Sequence, residues 1–129
     1  TLLDIAPTIY NLTNSKYELL NKNRIKKPIG ESIIPYLSGV DIEVHDKDYV
    51  FSFEHSGNAV LIKNNWKIVN KTSPFNINNF NLYNLDDMSE TNNLKEKEVI
   101  IYNDLLTEWK KYSFSKNIIF PTPYRDDLN

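Results

Sequence analysis

Apolar and polar positions change their period near residue 48. Tyr49-Val50-Phe51-Ser52-Phe53 is rich in aromatic and β-branched residues, which predicts a strand. Ala59-Val60-Leu61-Ile62 and Trp66-Lys67-Ile68-Val69 predict two more, joined at Asn64-Asn65, where asparagine tolerates the positive φ of a tight hairpin. Phe80-Asn81-Leu82-Tyr83 predicts a fourth strand after a long polar loop around Pro74 to Asn79. Residues 96–112 carry the strongest helical period. Val99, Tyr102, Leu106 and Trp109 fall on one face, and Leu105 and Tyr112 widen it. Residues 113–129, with Pro121 and Pro123, read as an extended tail.

The first part of the chain has a different pattern. Residues 4–12 predict a short helix with Asp4 capping its first turn and Pro7 tolerated there. Ile5, Ile9 and Leu12 then share a face. Residues 14–28 are polar and basic and read as a surface loop. Gly30-Glu31-Ser32 leads into Ile33-Ile34-Pro35-Tyr36-Leu37, a helix of one or two turns stopped by Gly39. The division expected is therefore 1–47, helix and loop that complete another domain; 48–112, a sheet-and-helix subdomain; and 113–129, the tail. The fold class expected is α+β, a small antiparallel sheet of about four strands with a packed carboxy-terminal helix. No internal repeat is present.

Composition narrows the function classes. The 129 residues carry 15 basic and 17 acidic side chains, a net charge of -2. This balance argues against a nucleic-acid or membrane surface driven by charge. With no cysteine, the chain has neither a disulfide framework nor a thiolate metal site. No apolar run is long enough to span a bilayer, and no signal-peptide pattern is present. The opening Thr1-Leu2-Leu3-Asp4 enters an apolar segment without an initiator methionine, which reads as a piece of something longer. Asn11-Leu12-Thr13 and Asn70-Lys71-Thr72 fit the glycosylation sequon, but so asparagine-rich a chain produces such matches by chance.

Four segments, in order, resemble the carboxy-terminal portion of the sulfatase (arylsulfatase) family. Asp4-Ile5-Ala6-Pro7-Thr8-Ile9 is similar to the family's D-x-x-P-T-[LI] helix start. Gly30-Glu31-Ser32-Ile33-Ile34-Pro35-Tyr36-Leu37-Ser38-Gly39 is similar to its G-x-S-L-x-P-x-L-x-G. Glu54-His55-Ser56-Gly57-Asn58, followed by Asn65-Trp66-Lys67-Ile68-Val69, resembles E-H-x-G-N and G-D-W-K-L-V. Leu82-Tyr83-Asn84-Leu85, then Ser89-Glu90-Thr91-Asn92-Asn93-Leu94, resembles L-Y-D-L followed by D-P-x-E-x-x-N-L. The sequence departs from the pattern at Asn84, Met88 and Asn64-Asn65, all in turns.

The resemblance implies an alkaline-phosphatase-like α/β fold whose end is the small sheet-and-helix subdomain. It implies hydrolysis of sulfate esters by a formylglycine nucleophile, with calcium binding the sulfate. A cation and fixed donors stabilise charge building on the ester oxygens. One hydroxyl of the hydrated aldehyde attacks, and loss through the other breaks the covalent intermediate. None of those parts stands in this chain. There is no Cys-x-Pro-x-Arg or Ser-x-Pro-x-Arg, and in Pro121-Thr122-Pro123-Tyr124-Arg125 a proline holds the nucleophile's place. The chain alone is therefore expected to be inactive and to carry no cofactor of its own. Its implied partners are an amino-terminal catalytic domain and a sulfated small molecule or polysaccharide, with no nucleic acid and no membrane. The family suggests a periplasmic or secreted location. Two other readings stand beside it: a stand-alone interaction module built on the same tail, and part of a phosphate or phosphonate ester hydrolase of the same superfamily.

The candidate binding residues are Glu54, His55 and Asn58. They end a strand and enter a glycine turn, which aims side chains out of a sheet. In the sulfatase family this strand end lies near the substrate entrance, so the resemblance implies a functional reading in which they line the leaving-group side of the pocket. The structural reading makes the segment a turn, with Asn58 at positive φ and His55 bound to a neighbouring domain. His45, among Glu43, Asp46 and Asp48, reads as part of an exposed charged loop, and Lys67 as an exposed lysine. Trp66 and Trp109 read as core rather than as sugar-stacking platforms. Glu90 and Asn92-Asn93 read as turn and cap residues.

Overall fold

The computed structural model describes residues 1–15, 28–72 and 74–119. Part of the basic loop at 14–28, most of the tail and the Pro121–Arg125 segment lie outside the described residues.

The aromatic and β-branched runs form the four expected strands: β1 (Val50–His55), β2 (Asn58–Lys63), β3 (Trp66–Asn70) and β4 (Asn81–Asn84). They make one antiparallel sheet in the order β1-β2-β3-β4. Cross-strand partners share a face, so the register sorts the side chains. Ser52↔Leu61, Glu54↔Ala59, Leu61↔Ile68 and Ile68↔Leu82 stand on one side. Phe53↔Val60, His55↔Asn58 and Ile62↔Lys67 stand on the other.

A long helix covers the first side. It runs from Val99 to Ser115, about one turn later at each end than the apolar period predicts. Residues 95–97 form a turn instead, in which the Leu94 carbonyl accepts from the N–H groups of Lys97 and Glu98 (3.0 and 2.8 Å). The buried stripe keeps the predicted face except at its start, since Tyr102, Leu106 and Tyr112 pack against the core. Leu105, Trp109 and Ser113 are buried, whereas Val99 is exposed. Leu105 and Trp109 join Ala59, Leu61, Ile68, Phe75, Ile77, Phe80 and Leu82 in the core. Trp109 is its centre, with ring centroids 5.3 Å from Phe80, 6.2 Å from Phe75 and 5.8 Å from Tyr112.

The polar loop between β3 and β4 is organised from inside. Asn70 is fully buried, and both ends of its amide are satisfied. Nδ2 donates to the Asn76 carbonyl (2.6 Å), and Oδ1 accepts from the Thr72 N–H and hydroxyl (3.0 and 2.7 Å). That engagement leaves the Asn70 sequon a chance match. Asn93 closes β4, its Oδ1 accepting from the Leu82 N–H at 3.1 Å. Lys67 is not the free surface lysine its strand position suggests, because its ammonium pairs with the Glu90 carboxylate.

The chain divides into two units, Thr1–Asp46 and Lys47–Asn129. The second is the α+β sheet-and-helix body just described. The first contains a 3-10 turn at Leu2–Asp4, then α1 (Ile5–Leu12) and α2 (Ile34–Leu37); the long helix of the second unit is α3. Gly39, at φ 74°, takes the left-handed conformation that ends α2. Among the described residues of the first unit only Asp4 is buried. Ten large apolar residues there are exposed: Leu2, Leu3, Ile5, Ile9, Leu12, Ile29, Tyr36, Leu37, Val40 and Ile42. No helix among the described residues is long and apolar enough to cross a membrane.

Candidate functional site

Glu54, His55 and Asn58 meet at the turn between β1 and β2. Ser56 and Gly57 are its two central residues, at φ 52° and 82°. Two successive positive φ values suit a hairpin that follows the strand twist, and glycine adopts the second without strain. The positive φ thus falls on Ser56 and Gly57, while Asn58 begins β2. Glu54 Oε1 accepts from the Gly57 N–H at 2.8 Å and locks the turn. Asn58 Nδ2 donates to the His55 carbonyl at 3.4 Å.

The three side chains do not share a face. Glu54 pairs with Ala59 on the α3 side of the sheet. Its charge reaches Tyr112, whose hydroxyl is pushed above its usual range first by burial and then by that carboxylate. His55 and Asn58 are a cross-strand pair on the opposite side, both exposed. The imidazole stacks on Phe53, with centroids 6.3 Å apart and planes at 17°. Phe53 is itself 55% exposed. The hairpin therefore presents an imidazole, an amide and an aromatic ring together, a surface able to donate hydrogen bonds beside an apolar plane.

A second polar cluster lies in the first unit, where sequence reading placed only a helix cap and a charged loop. Asp4 does not cap α1 through its side chain. Its Oδ1 accepts from the Glu31 N–H at 3.0 Å. Its Oδ2 takes the Thr1 amino group, the Thr1 hydroxyl at 3.0 Å and His45 Nε2 at 3.1 Å. The His45 side chain is only 16% exposed, and its Nδ1 lies 3.8 Å from the Glu31 carboxylate. Thr8 repeats the device one turn later. Its hydroxyl donates to the Asp4 carbonyl (2.6 Å) and accepts from the Ile33 N–H (3.1 Å). Gly30 packs directly on the backbone of Leu3 and Asp4. Asp4, Thr8 and Gly30 therefore clasp the two helical segments together.

Burial alone would raise the Asp4 pKa. In the isolated 129-residue chain the Thr1 amino group, the Glu31 N–H, His45 and the Thr1 hydroxyl outweigh it and hold the carboxyl well below the usual carboxylate range. Where a domain precedes Thr1, the ammonium is replaced by a peptide N–H and the other three partners remain. A depressed folded pKa stabilises fully above the unfolded value of about 3.9 and loses that contribution as pH falls towards the folded one. The clasp is expected to be unchanged from neutral pH down to about 3.9 and to open progressively below that. The Glu31 and Ile33 amide resonances report it. Asp4→Asn should loosen the clasp already at neutral pH and flatten the acid limb; an unaltered acid limb in that variant would show that another group opens the unit.

Among the described residues, no group of three or more His, Asp or Glu side chains is gathered to hold a metal ion. No protein-family model matches the chain. The crystal structure of Ps i-CgsB is similar over 85% of this chain, with a TM-score of 0.60 and 23% identity; the chain spans 23% of that protein's length, and the likeness shows the fold.

Proposed function

We propose that this chain is the carboxy-terminal part of a sulfate-ester hydrolase of the sulfatase family, with the alkaline-phosphatase-like architecture that family implies. The observation that carries the reading is the clasp. Asp4, Thr8 and Gly30, which anchor the first two segments of the resemblance, are the residues that bind those segments to each other. The exposed apolar residues of the first unit support it too. Described residues whose one buried side chain is a carboxylate gain little from the hydrophobic effect by themselves. Their natural cover is the amino-terminal catalytic domain.

In this reading the chain contributes structure and part of the pocket rim. His55 and Asn58 contact the leaving-group side of a sulfated small molecule or polysaccharide, and Glu54 positions them through its bond to Gly57. In this reading calcium and the formylglycine are supplied by the amino-terminal catalytic domain. The family points to the periplasm or the exterior.

The test is enzymatic. The 129-residue chain is expected to leave a chromogenic aryl sulfate intact with calcium present. Joined to a catalytic domain carrying the formylglycine motif, it should support turnover. His55→Ala in that protein should lower kcat/KM roughly 5- to 150-fold, the loss of one hydrogen bond worth about 1–3 kcal/mol, at unchanged Tm. Hydrolysis of phosphate but not sulfate esters would move the chain to the other branch of the superfamily. A fall in Tm with activity preserved would make His55 structural.

A further inference from the structure

At the opposite end of β2 from the His55 turn, the sheet and α3 form an open concavity of about 320 Å³. This is the lower end of the roughly 300–1,000 Å³ range of small-molecule sites. Its inner side is Trp66 and the buried Leu105, and its helix wall is Ile100 and Ile101. Ile100 is 87% exposed, an isoleucine left in water at the mouth of the cavity. Lys63, Asn64 and Asp104 form the rim. Trp66 and Trp109 thus part company: Trp109 is wholly in the core, while Trp66 is half-buried and lines an open cavity.

The rim selects the chemistry. Lys63 Nζ donates to Asp104 at 3.0 Å and lies 3.6 Å from Glu108. The bond to Asp104 holds its ammonium charged, above the ordinary lysine range. One ammonium faces two carboxylates, so the rim offers no excess positive charge to an anion. It does offer a donor in Lys63, an acceptor in the exposed Asp104 carboxylate, and both in the Asn64 amide. A purely apolar ligand would cover these groups without bonding them, at a cost. A ligand with one apolar face and an edge of groups that both donate and accept meets every requirement. That is a sugar ring.

We propose that this cavity binds a neutral pyranose, its C–H face against Trp66 and its hydroxyls on Asp104, Lys63 and Asn64. The site lies away from the His55 turn and requires no ester chemistry. It therefore stands or falls separately from the hydrolase reading.

The test is a titration of the intact chain with cellotetraose, mannotetraose and galactotetraose, following both indole N–H resonances. The Trp66 resonance should shift saturably with at least one of them, while that of Trp109 stays fixed as an internal reference. Asp104→Asn removes an acceptor and should weaken binding about tenfold or more. Trp66 also packs against the core, so Trp66→Ala risks the fold. Ile100→Asp, at an exposed position, should weaken binding similarly without lowering Tm. No saturable shift with any of the three sugars would overturn the proposal. So would a shift indifferent to both variants.

Discussion

Trp109→Ala is expected to unfold most of the sheet-and-helix unit at temperatures where the parent is intact. The indole is completely buried and contacts the rings of Phe75, Phe80 and Tyr112. It is the point at which α3, β4 and the loop before β4 meet. Truncating a buried tryptophan costs about 3–5 kcal/mol, against the ~5–15 kcal/mol of a whole domain. Denaturant melts should show a lower midpoint with an unchanged slope. Trp109→Phe should be much milder, for a second reason besides volume. The indole N–H has no hydrogen-bond partner among the described residues. Removing an unpartnered buried donor recovers part of its desolvation cost, about 1–3 kcal/mol. Equal losses in the two variants would show that the N–H is satisfied and that ring size alone matters.

Gly30→Ala should have a smaller but still disruptive effect, confined to the first unit. A Cβ at this position would lie 2.2 Å from the Leu3 carbonyl oxygen and 2.7 Å from the Asp4 nitrogen. Both are backbone atoms, so neither can turn aside. The segments must separate, and separation removes the bonds from Glu31 to Asp4 and from Ile33 to Thr8 together. Overpacking typically costs about 1–3 kcal/mol. Here it falls on a unit in which no described apolar side chain is buried to absorb it. Hydrogen exchange at Glu31 and Ile33 should accelerate to the rate of open chain, while the amides of β2 and β3 keep their protection. Protection unchanged at Ile33 would show that the clasp tolerates the shift.

The strands and their turns were legible because their signals are local. Aromatic and β-branched residues occupy β1 to β3, and the Asn64-Asn65 turn lies between Lys63 and Trp66, which pair across it. The α+β class follows from those runs and one long helical period. The start of the helix was harder to read. Val99 begins an apolar stripe on paper, but the stripe that meets the sheet starts at Tyr102 and runs on through Leu105, Trp109 and Ser113. Periodicity fixes the face of a stripe and leaves its ends to packing. The hairpin that gathers His55 and Asn58 was visible from Gly57. The opposite facing of Glu54 follows from strand alternation. The Asp4–His45 bond joins residues 41 apart, and no local pattern announces such a contact. His45 looked like surface because its neighbours in sequence are acidic. Its neighbour in space is a buried carboxylate.

The order of the strands also governs how the second unit assembles in time. Each strand pairs with the next in sequence, and each of the first two links is a two-residue turn. Closing such short loops loses little chain entropy. Topologies made of near neighbours fold faster than those that wait for distant partners. The three-stranded meander Val50–Asn70 can therefore form as it leaves the ribosome. Its apolar side then stays uncovered until Phe75, Phe80 and finally Trp109 have been synthesised. In that interval the half-built sheet is most open to aggregation.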